Sequence, residues 1–412
     1  MKSILQFILK TLAKTYIWRY KPKVVGITGS VGKTTTKTAI DLVLEENFSF
    51  RSSQKSYNNQ IGLPLTILGY KTAGRNFGGW LTIIFGSLGK LFFDKNHPEI
   101  LVLEMGSDRI GDLQYLTGIV KPNISVVTSV GIVHTVAFGD LENVAREKAM
   151  LIKVLPKNGW AVLNYDDARV KAMANHTQAK KVFFGLNRNA DVAADDIQFK
   201  NRSLTFNIKT DSREFNFSFK NMGKHLIYPL LAAFGVGKIL KIDPHKMMTS
   251  LSHFKPLVGR GKILKGKNNN LIIDESYNSS PVSVQAALDF LKDFETKRNK
   301  VAILGDMKEL GEQSLETHQA LAEQVRFVNV VVLVGLEIMA TYNILKNQHP
   351  AVYYFEDVNS LAQKLDNLIK NDNLILVKGS QAVRLEKIVE KLIVSHYNKE
   401  ALLVRQSEEW QR

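Results

Sequence analysis

Cysteine is absent from all 412 residues. That removes disulfides, thiolate metal sites and a catalytic thiol together, and it fits a reducing compartment. Long apolar runs are missing too. The richest stretch, residues 78–93 (GGWLTIIFGSLGKLFF), is too short to span a bilayer and is broken by Gly86 and Gly89. Acidic residues are in deficit: 39 Asp and Glu face 55 Lys and Arg, a formal net charge of +16. Such a surplus favours anionic partners, whether nucleotides, phosphorylated substrates, acidic lipid headgroups or nucleic acid, without choosing among them. With 45% hydrophobic and 23% charged residues the composition is globular, so disordered and fibrous classes are excluded. The length predicts about two to three domains.

The first 23 residues carry Lys2, Lys10, Lys14, Arg19, Lys21 and Lys23 and no acidic side chain, with Leu5, Ile8, Leu12 and Tyr16 at helical spacing. This predicts a basic amphipathic helix over 1–22. Lys10 and Lys14 interrupt the apolar stretch and no small-residue cleavage site precedes Pro22, which argues against a signal peptide and for a cytoplasmic chain. This helix and the stretch 78–93 are each open to two readings, a packed amphipathic helix or a peripheral attachment to a membrane. No aromatic-rich basic stripe or nucleic-acid module accompanies the charge, so no nucleic-acid partner is expected.

Beyond the N-terminus, short apolar runs alternate with helical patterns. Strands are predicted at Val24 to Thr28, Ile100 to Glu104, Ile124 to Thr128 and Ala161 to Asn164, each followed by a turn and a helix. Strand then helix, repeated, means an α/β fold with a parallel sheet covered on both faces. From about Ile197 to Lys220 strict alternation predicts a small antiparallel element before a helix near Leu226 to Leu240. A second βα block starts at Leu271, and a boundary is expected at Lys255 to Pro256.

The strongest local signal is KVVGITGSVGKTTT, Lys23 to Thr36. A β-branched strand runs into a loop with Gly26, Gly29 and Gly32, and Lys33 and Thr34 then open a helix. Glycines let backbone N–H groups approach phosphates, the lysine adds charge at the β and γ groups, and the threonine hydroxyl suits Mg²⁺. A nucleoside triphosphate site is expected, although position 27, where the common G-x-x-x-x-G-K-T form has its first glycine, is Ile27 and the nearest glycine is one residue earlier, Gly26. Glu104, at the end of ILVLE, is a candidate Mg²⁺ ligand, since strand ends of parallel sheets face the ligand crevice. His134 follows the next strand and could reach the same crevice.

Taken in order, TGSVGKTTTK, SYNNQIGLP, LEMGSDRIGDL, His134, AREKAML and LNYDD resemble the central domain of the Mur ligases, ATP-dependent amide-forming enzymes of peptidoglycan synthesis. IIDESYNSSPVSVQAAL, AILGDMKELGEQSLETH and LVKGSQAVRLEKIV resemble the family branch that adds D-alanyl-D-alanine to UDP-N-acetylmuramoyl-tripeptide. The resemblance spans about residues 23 to 395. It implies a P-loop central domain with a mostly parallel sheet over 23–255, then a Rossmann-like α/β C-terminal domain over 256–412.

The same resemblance implies that Gly29, Ser30, Val31, Gly32, Lys33, Thr34 and Thr35 hold the ATP phosphates, with Lys33 catalytic. Thr34, Glu104, catalytic His134 and a carbamylated, catalytic Lys148 would serve two Mg²⁺ ions. Arg260 and Asp274 through Asn278, Asn278 above all, would contact adenine and ribose. Asn58 and Asn59 would lie near substrate, and Asp306, Glu309, Lys378, Gly379 and Ser380 would receive the dipeptide. A monomer is expected. The alternative is a ligase of the same superfamily acting on a lipid-linked, other peptide or polyglutamate-type acceptor.

Some positions depart from the family pattern. Only about 22 residues precede the first strand, where these ligases usually carry a uridine-binding domain. Leu226 and Pro229 stand where asparagines are frequent, and Glu275 and Ser280 where Asp and Asn are common.

Overall fold

The computed structural model describes residues 2–53, 57–132, 135–211, 213–394, 398–406 and 410. Strands β1 (Lys23–Thr28), β2 (Phe50–Ser52), β3 (Ile100–Glu104), β4 (Ile124–Val127), β5 (Trp160–Asn164), β6 (Lys180–Gly185), β7 (Val192–Lys200), β8 (Ser203–Thr210) and β9 (Arg213–Lys220) form one sheet. Its order is β2-β3-β1-β4-β5-β6-β7-β8-β9. Pairing is parallel from β2 through β7 and antiparallel for β8 and β9. The alternating segment expected as a small antiparallel element is antiparallel, and it continues the main sheet. Its inward Leu204, Phe206, Ile208, Phe215, Phe217 and Phe219 extend the same core. Sequence periodicity reports which face of a strand is wet, and says nothing of which strand lies beside it.

Helices cover both faces. On β1 and β3, Val25, Ile27, Ile100 and Val102 pack toward α2 (Lys33–Glu45) and the helix Ile227–Ile239. Their neighbours Val24, Leu101 and Leu103 pack on the other side, among residues of α1 (Lys2–Tyr20), α3 (Gly62–Leu68), α4 (Phe77–Phe93) and α5 (Asp112–Thr117). This is the two-residue alternation of a strand, buried on both faces because helices lie on both. α1 buries Leu9, Leu12, Ala13 and Tyr16 in that layer, and its Tyr16 Oη donates to Asp94 at 2.7 Å. Both apolar segments of the sequence are thus helices with one packed side. α6 (Thr135–Phe138) and α7 (Leu141–Lys153) follow β4.

The helix Pro244–Ser252 closes the first unit, and the next strand belongs to a second sheet. β10 (Lys262–Lys265), β11 (Leu271–Glu275), β12 (Asn299–Gly305), β13 (Val330–Val334), β14 (Val352–Phe355) and β15 (Asn373–Lys378) take the order β10-β11-β15-β12-β13-β14. All are parallel except β10. The two units meet at unlike contacts. On the β7 side, the Phe199 ring lies 6.0 Å from Phe290 and 5.9 Å from Phe294. Lys224 Nζ pairs there with Asp293 at 2.8 Å, and Asn201 N donates to Glu295 at 2.9 Å. Toward the strand ends, the contacts involve the phosphate-type loop described next.

Candidate active site

In the first sheet the chain leaves β1 toward β3 on one side and reaches β4 on the other, so a crevice opens where these strands end. The loop after β1 needs glycine for steric reasons. Gly29 has φ +146° and a Cβ there would fall 1.9 Å from Thr128 Oγ1, while Gly32 has φ +84° just before α2. The loop is laced to the segment after β4. Ser30 N donates to Ser129 O at 2.9 Å and Val31 N to Ser129 Oγ at 3.1 Å. Thr128 Oγ1 donates to Val31 O at 2.6 Å, and Gly131 N donates to Ser30 Oγ at 2.9 Å.

The N–H groups of Ser30 and Val31 are therefore engaged inside the protein. Those at the start of α2, around Lys33, Thr34 and Thr35, belong to a helix N-terminus, where intrahelical acceptors are lacking and anions are favoured. Gly32, the N-cap residue, makes no side-chain cap.

Lys33 folds back so that Nζ donates to Gly29 O at 2.7 Å. Burial holds its amine below the ordinary lysine value, opposed by the Glu104 charge. Glu104, 2% exposed at the end of β3, accepts from Thr34 Oγ1 at 3.0 Å and from Asn58 Nδ2 at 3.3 Å. Arg260 of the second unit donates to Thr34 Oγ1 at 3.3 Å with its guanidinium 3.9 Å over the Tyr277 ring. Lys148, on α7, is 2% exposed, and burial, with the Lys33 charge behind it, pushes its amine down to about 7. Lys33, Thr34, Glu104, Asn58, Lys148 and Arg260 are thus brought to one crevice from α2, β3, α7 and two loops.

Two contributors were not singled out from sequence. Asp108 acts electrostatically on both Lys33 and Lys148. Glu147, 5% exposed, accepts from Gly111 N at 2.9 Å and Leu113 N at 2.7 Å, which fixes the loop after β3 against α7 and so places Lys148. Spacing within LEMGSDRIGDL and AREKAML hinted at neither. The two segments are joined only through the fold.

Other expected residues have different settings. Asn59 Oδ1 accepts from Ile61 N at 3.1 Å and Gly62 N at 2.9 Å, so in this structure it caps α3 beside the crevice. His134 lies outside the described residues. Among the described residues, no group of three or more His, Asp or Glu could hold a metal.

Around the second sheet, Asp274 is fully buried, accepts from Ser276 N at 3.1 Å, and is pushed up to about 6 by burial. Glu275 reaches both Lys378 at 3.5 Å and His225 of the first unit at 3.6 Å. Lys378 Nζ donates to the backbone oxygen of exposed Asn278 at 2.9 Å. Because β12 and β15 are paired, Asp306 and Glu309 lie beside Lys378, Gly379 and Ser380. Asp306 accepts from Ile338 N at 2.8 Å and pairs with Lys308 at 2.7 Å; Lys308 pairs in turn with Glu337 at 2.8 Å and donates from its backbone to Ser380 Oγ at 2.8 Å. Gly379 is needed for close approach, since a Cβ there would lie 2.9 Å from Leu385.

With this geometry in hand, comparison with known proteins identifies the chain. The Mur ligase middle domain matches residues 27–78 and 87–237, and the Mur ligase glutamate ligase domain matches 259–381. A UDP-N-acetylmuramoyl-tripeptide–D-alanyl-D-alanine ligase of Bacillus subtilis is 28% identical over 94% of this chain and 79% of its own. The ligase of that name from Escherichia coli is 26% identical over 90% and 76%. The structure of MurF ligase from Thermotoga maritima in complex with ADP aligns with a TM-score of 0.78 at 27% identity, covering 94% of this chain and 83% of that one. A MurF structure from Acinetobacter baumannii, at 23% identity and a TM-score of 0.80, shares the fold. The chain belongs to the Mur ligase family.

Proposed function

We propose that this chain joins D-alanyl-D-alanine to UDP-N-acetylmuramoyl-tripeptide at the expense of ATP, in peptidoglycan synthesis. The observation that carries this reading is the alignment with ligases of that name along 94% of the chain, and the crevice residues fit the chemistry. In the reaction the tripeptide's terminal carboxylate attacks the γ-phosphorus, the bond to the β-phosphate oxygen breaks, and ADP leaves. The dipeptide amine then attacks the acyl carbon, phosphate departs with the bonding pair, and the amine loses a proton. Little of this is covalent work for the protein. Its task is to hold three anionic or zwitterionic reactants in line and neutralise their charge.

Lys33 and the N-terminus of α2 cradle the phosphates. Arg260, stacked on Tyr277, reaches across from the second unit and closes the nucleotide side, with Asp274 through Asn278 along the same wall. A hard divalent cation takes oxygen donors, and the Thr34 hydroxyl against the buried Glu104 carboxylate would hold Mg²⁺; the family resemblance adds His134, which would bring a ring nitrogen. When bound, the metal neutralises phosphate charge. Lys148 suits carbamylation, because an amine held near 7 is substantially neutral at physiological pH. Its nitrogen lone pair adds to CO₂ and releases a proton, giving an anion in place of a cation. A ¹³C carbamate signal from ¹³C-bicarbonate that Lys148→Arg abolishes is the expected result.

Asp306, Glu309 and Lys378 through Ser380 shape the dipeptide end, and Asn58 and Asn59 the acceptor side. On this reading the chain works as a monomer in the cytoplasm, where a soluble UDP-linked substrate is found. The deciding experiment is phosphate release from ATP and Mg²⁺ with the UDP-tripeptide, with and without D-alanyl-D-alanine. Dependence on both is expected; release without the dipeptide, or none with it, overturns the reading.

A further inference from the structure

α4 is apolar on two opposite sides, and the fold uses only one. Its inner side buries Ile83, Ser87 and Leu91, at 4%, 0% and 7% exposure, in the layer that covers the sheet. Its outer side carries Phe77, Leu81, Phe85, Leu88 and Phe92 at steps of four, four, three and four residues, which align as one stripe along a helix. Phe77, Phe85 and Phe92 are 71%, 67% and 68% exposed, and Phe93 at the end is 81% exposed. An ordinary surface helix of the same chain, Val358–Leu368, buries Val358, Leu361 and Leu365 and turns Gln363, Lys364, Asp366 and Asn367 outward. α1, packed in the same layer, adds Ile4, Phe7 and Trp18 at 65%, 70% and 73% exposure along its own outer side.

Charge says what covers this surface. Through residue 93 the chain carries thirteen basic and three acidic side chains, a surplus of ten out of a net +16. All three acids, Asp41, Glu45 and Glu46, lie on or just after α2, on the other face of the sheet. Exposed Lys14, Arg19, Lys21, Lys71 and Arg75 sit on or beside α1 and α4. The next acid, Asp94, is engaged by Tyr16 at 2.7 Å and Arg51 at 3.7 Å. A second copy would bring the same positive surface, so self-association is opposed by charge. The family's middle-domain match also breaks over 79–86, within α4, so the chemistry common to the family does not account for the stripe.

We propose that the outer faces of α1 and α4 dock on an anionic phospholipid bilayer, the phenylalanines, leucines and Trp18 entering the interfacial layer and the lysines and arginines meeting the headgroups. Among the described residues no helix is long and apolar enough to cross a membrane, so the helices lie in its surface. The strand-end crevice stays open, because these helices cover a flank of the sheet.

The test is flotation of the full chain with vesicles of phosphatidylcholine alone or mixed equally with phosphatidylglycerol, at low and high salt. Binding to the mixed vesicles that weakens with salt is expected, and Phe85→Ser with Phe92→Ser should lower the partition coefficient on the order of a hundredfold. Both side chains are exposed, so the variant should keep its melting temperature and its phosphate release. Failure of the full chain to float with the mixed vesicles overturns the proposal. So does undiminished binding by the double variant, which would leave charge alone as the cause, and so does a dimer in solution that the variant dissociates, which would make the face an interface between copies. None of these outcomes touches the ligase reading, which the phosphate assay judges separately.

Discussion

The crevice at the end of β1 and the edge formed by β12 and β15 both gather charged side chains at the ends of parallel strands, yet they treat charge in opposite ways. In the crevice, burial holds the amines of Lys33 and Lys148 below the ordinary lysine value, and the charges of Arg260 on Lys33 and of Lys33 on Lys148 add to this against Glu104, Glu147 and Asp108. At the edge, Lys308 sits between Asp306 at 2.7 Å and Glu337 at 2.8 Å, and charge is balanced within the protein. Amines depressed by burial gain from an incoming polyanion, whereas a balanced cluster holds its shape before anything arrives. On the proposed reading, the first region takes the phosphates and the second holds backbone in place.

Substitutions can break this contrast. Lys33→Ala should have the largest effect, a loss of phosphate release of about a thousandfold or more with an unchanged unfolding midpoint, because it removes charge at the phosphates and no core volume. Near-normal turnover would end the assignment of the loop. Arg260→Ala should come next, raising KM for ATP about ten- to hundredfold with a smaller change in kcat, since one charged hydrogen bond is lost at the nucleotide side.

Asp274→Asn tests the cost of charge in the wall behind Arg260. Burial pushes the native carboxyl up to about 6, above the ordinary aspartate range, so the folded state holds the proton more tightly and stability falls as pH rises through that window. Relative to the wild type, the variant should gain on the order of 2 kcal/mol in urea unfolding between pH 4 and pH 7. A pH-independent difference would show that the carboxyl is not strained. Glu337→Gln should be mildest. By loosening Lys308 it should raise KM for the dipeptide a few-fold and leave KM for ATP alone; an equal effect on both would remove the distinction between the two regions.

Much of the first region was legible because its residues are contiguous. Lys33 and Thr34 follow a glycine turn, and Glu104 ends an apolar run, so local pattern alone placed them. The α/β class was legible for the same reason. What local pattern could not show is contact between distant segments. Arg260 meets Thr34 across 226 positions, and Ser129 occupies the Ser30 and Val31 N–H groups that the motif suggested for phosphate. Nor could local pattern show that Asn59, beside Asn58, accepts from Ile61 N and Gly62 N at the start of α3. Hydropathy found α4 and left open which side was covered, because a helix that is apolar all round has no preferred face.

The junction between the two units has an aromatic cluster on the β7 side, Phe199 with Phe290 and Phe294 and the His225 ring 6.5 Å from Phe290, while at the crevice Arg260 reaches across to Thr34 through a polar contact. Water can replace a polar bridge at little cost, but it is a poor substitute for stacked rings. Parting the two units at Arg260 would therefore cost less than parting them at Phe199, and an opening that began at the crevice would leave the rings together.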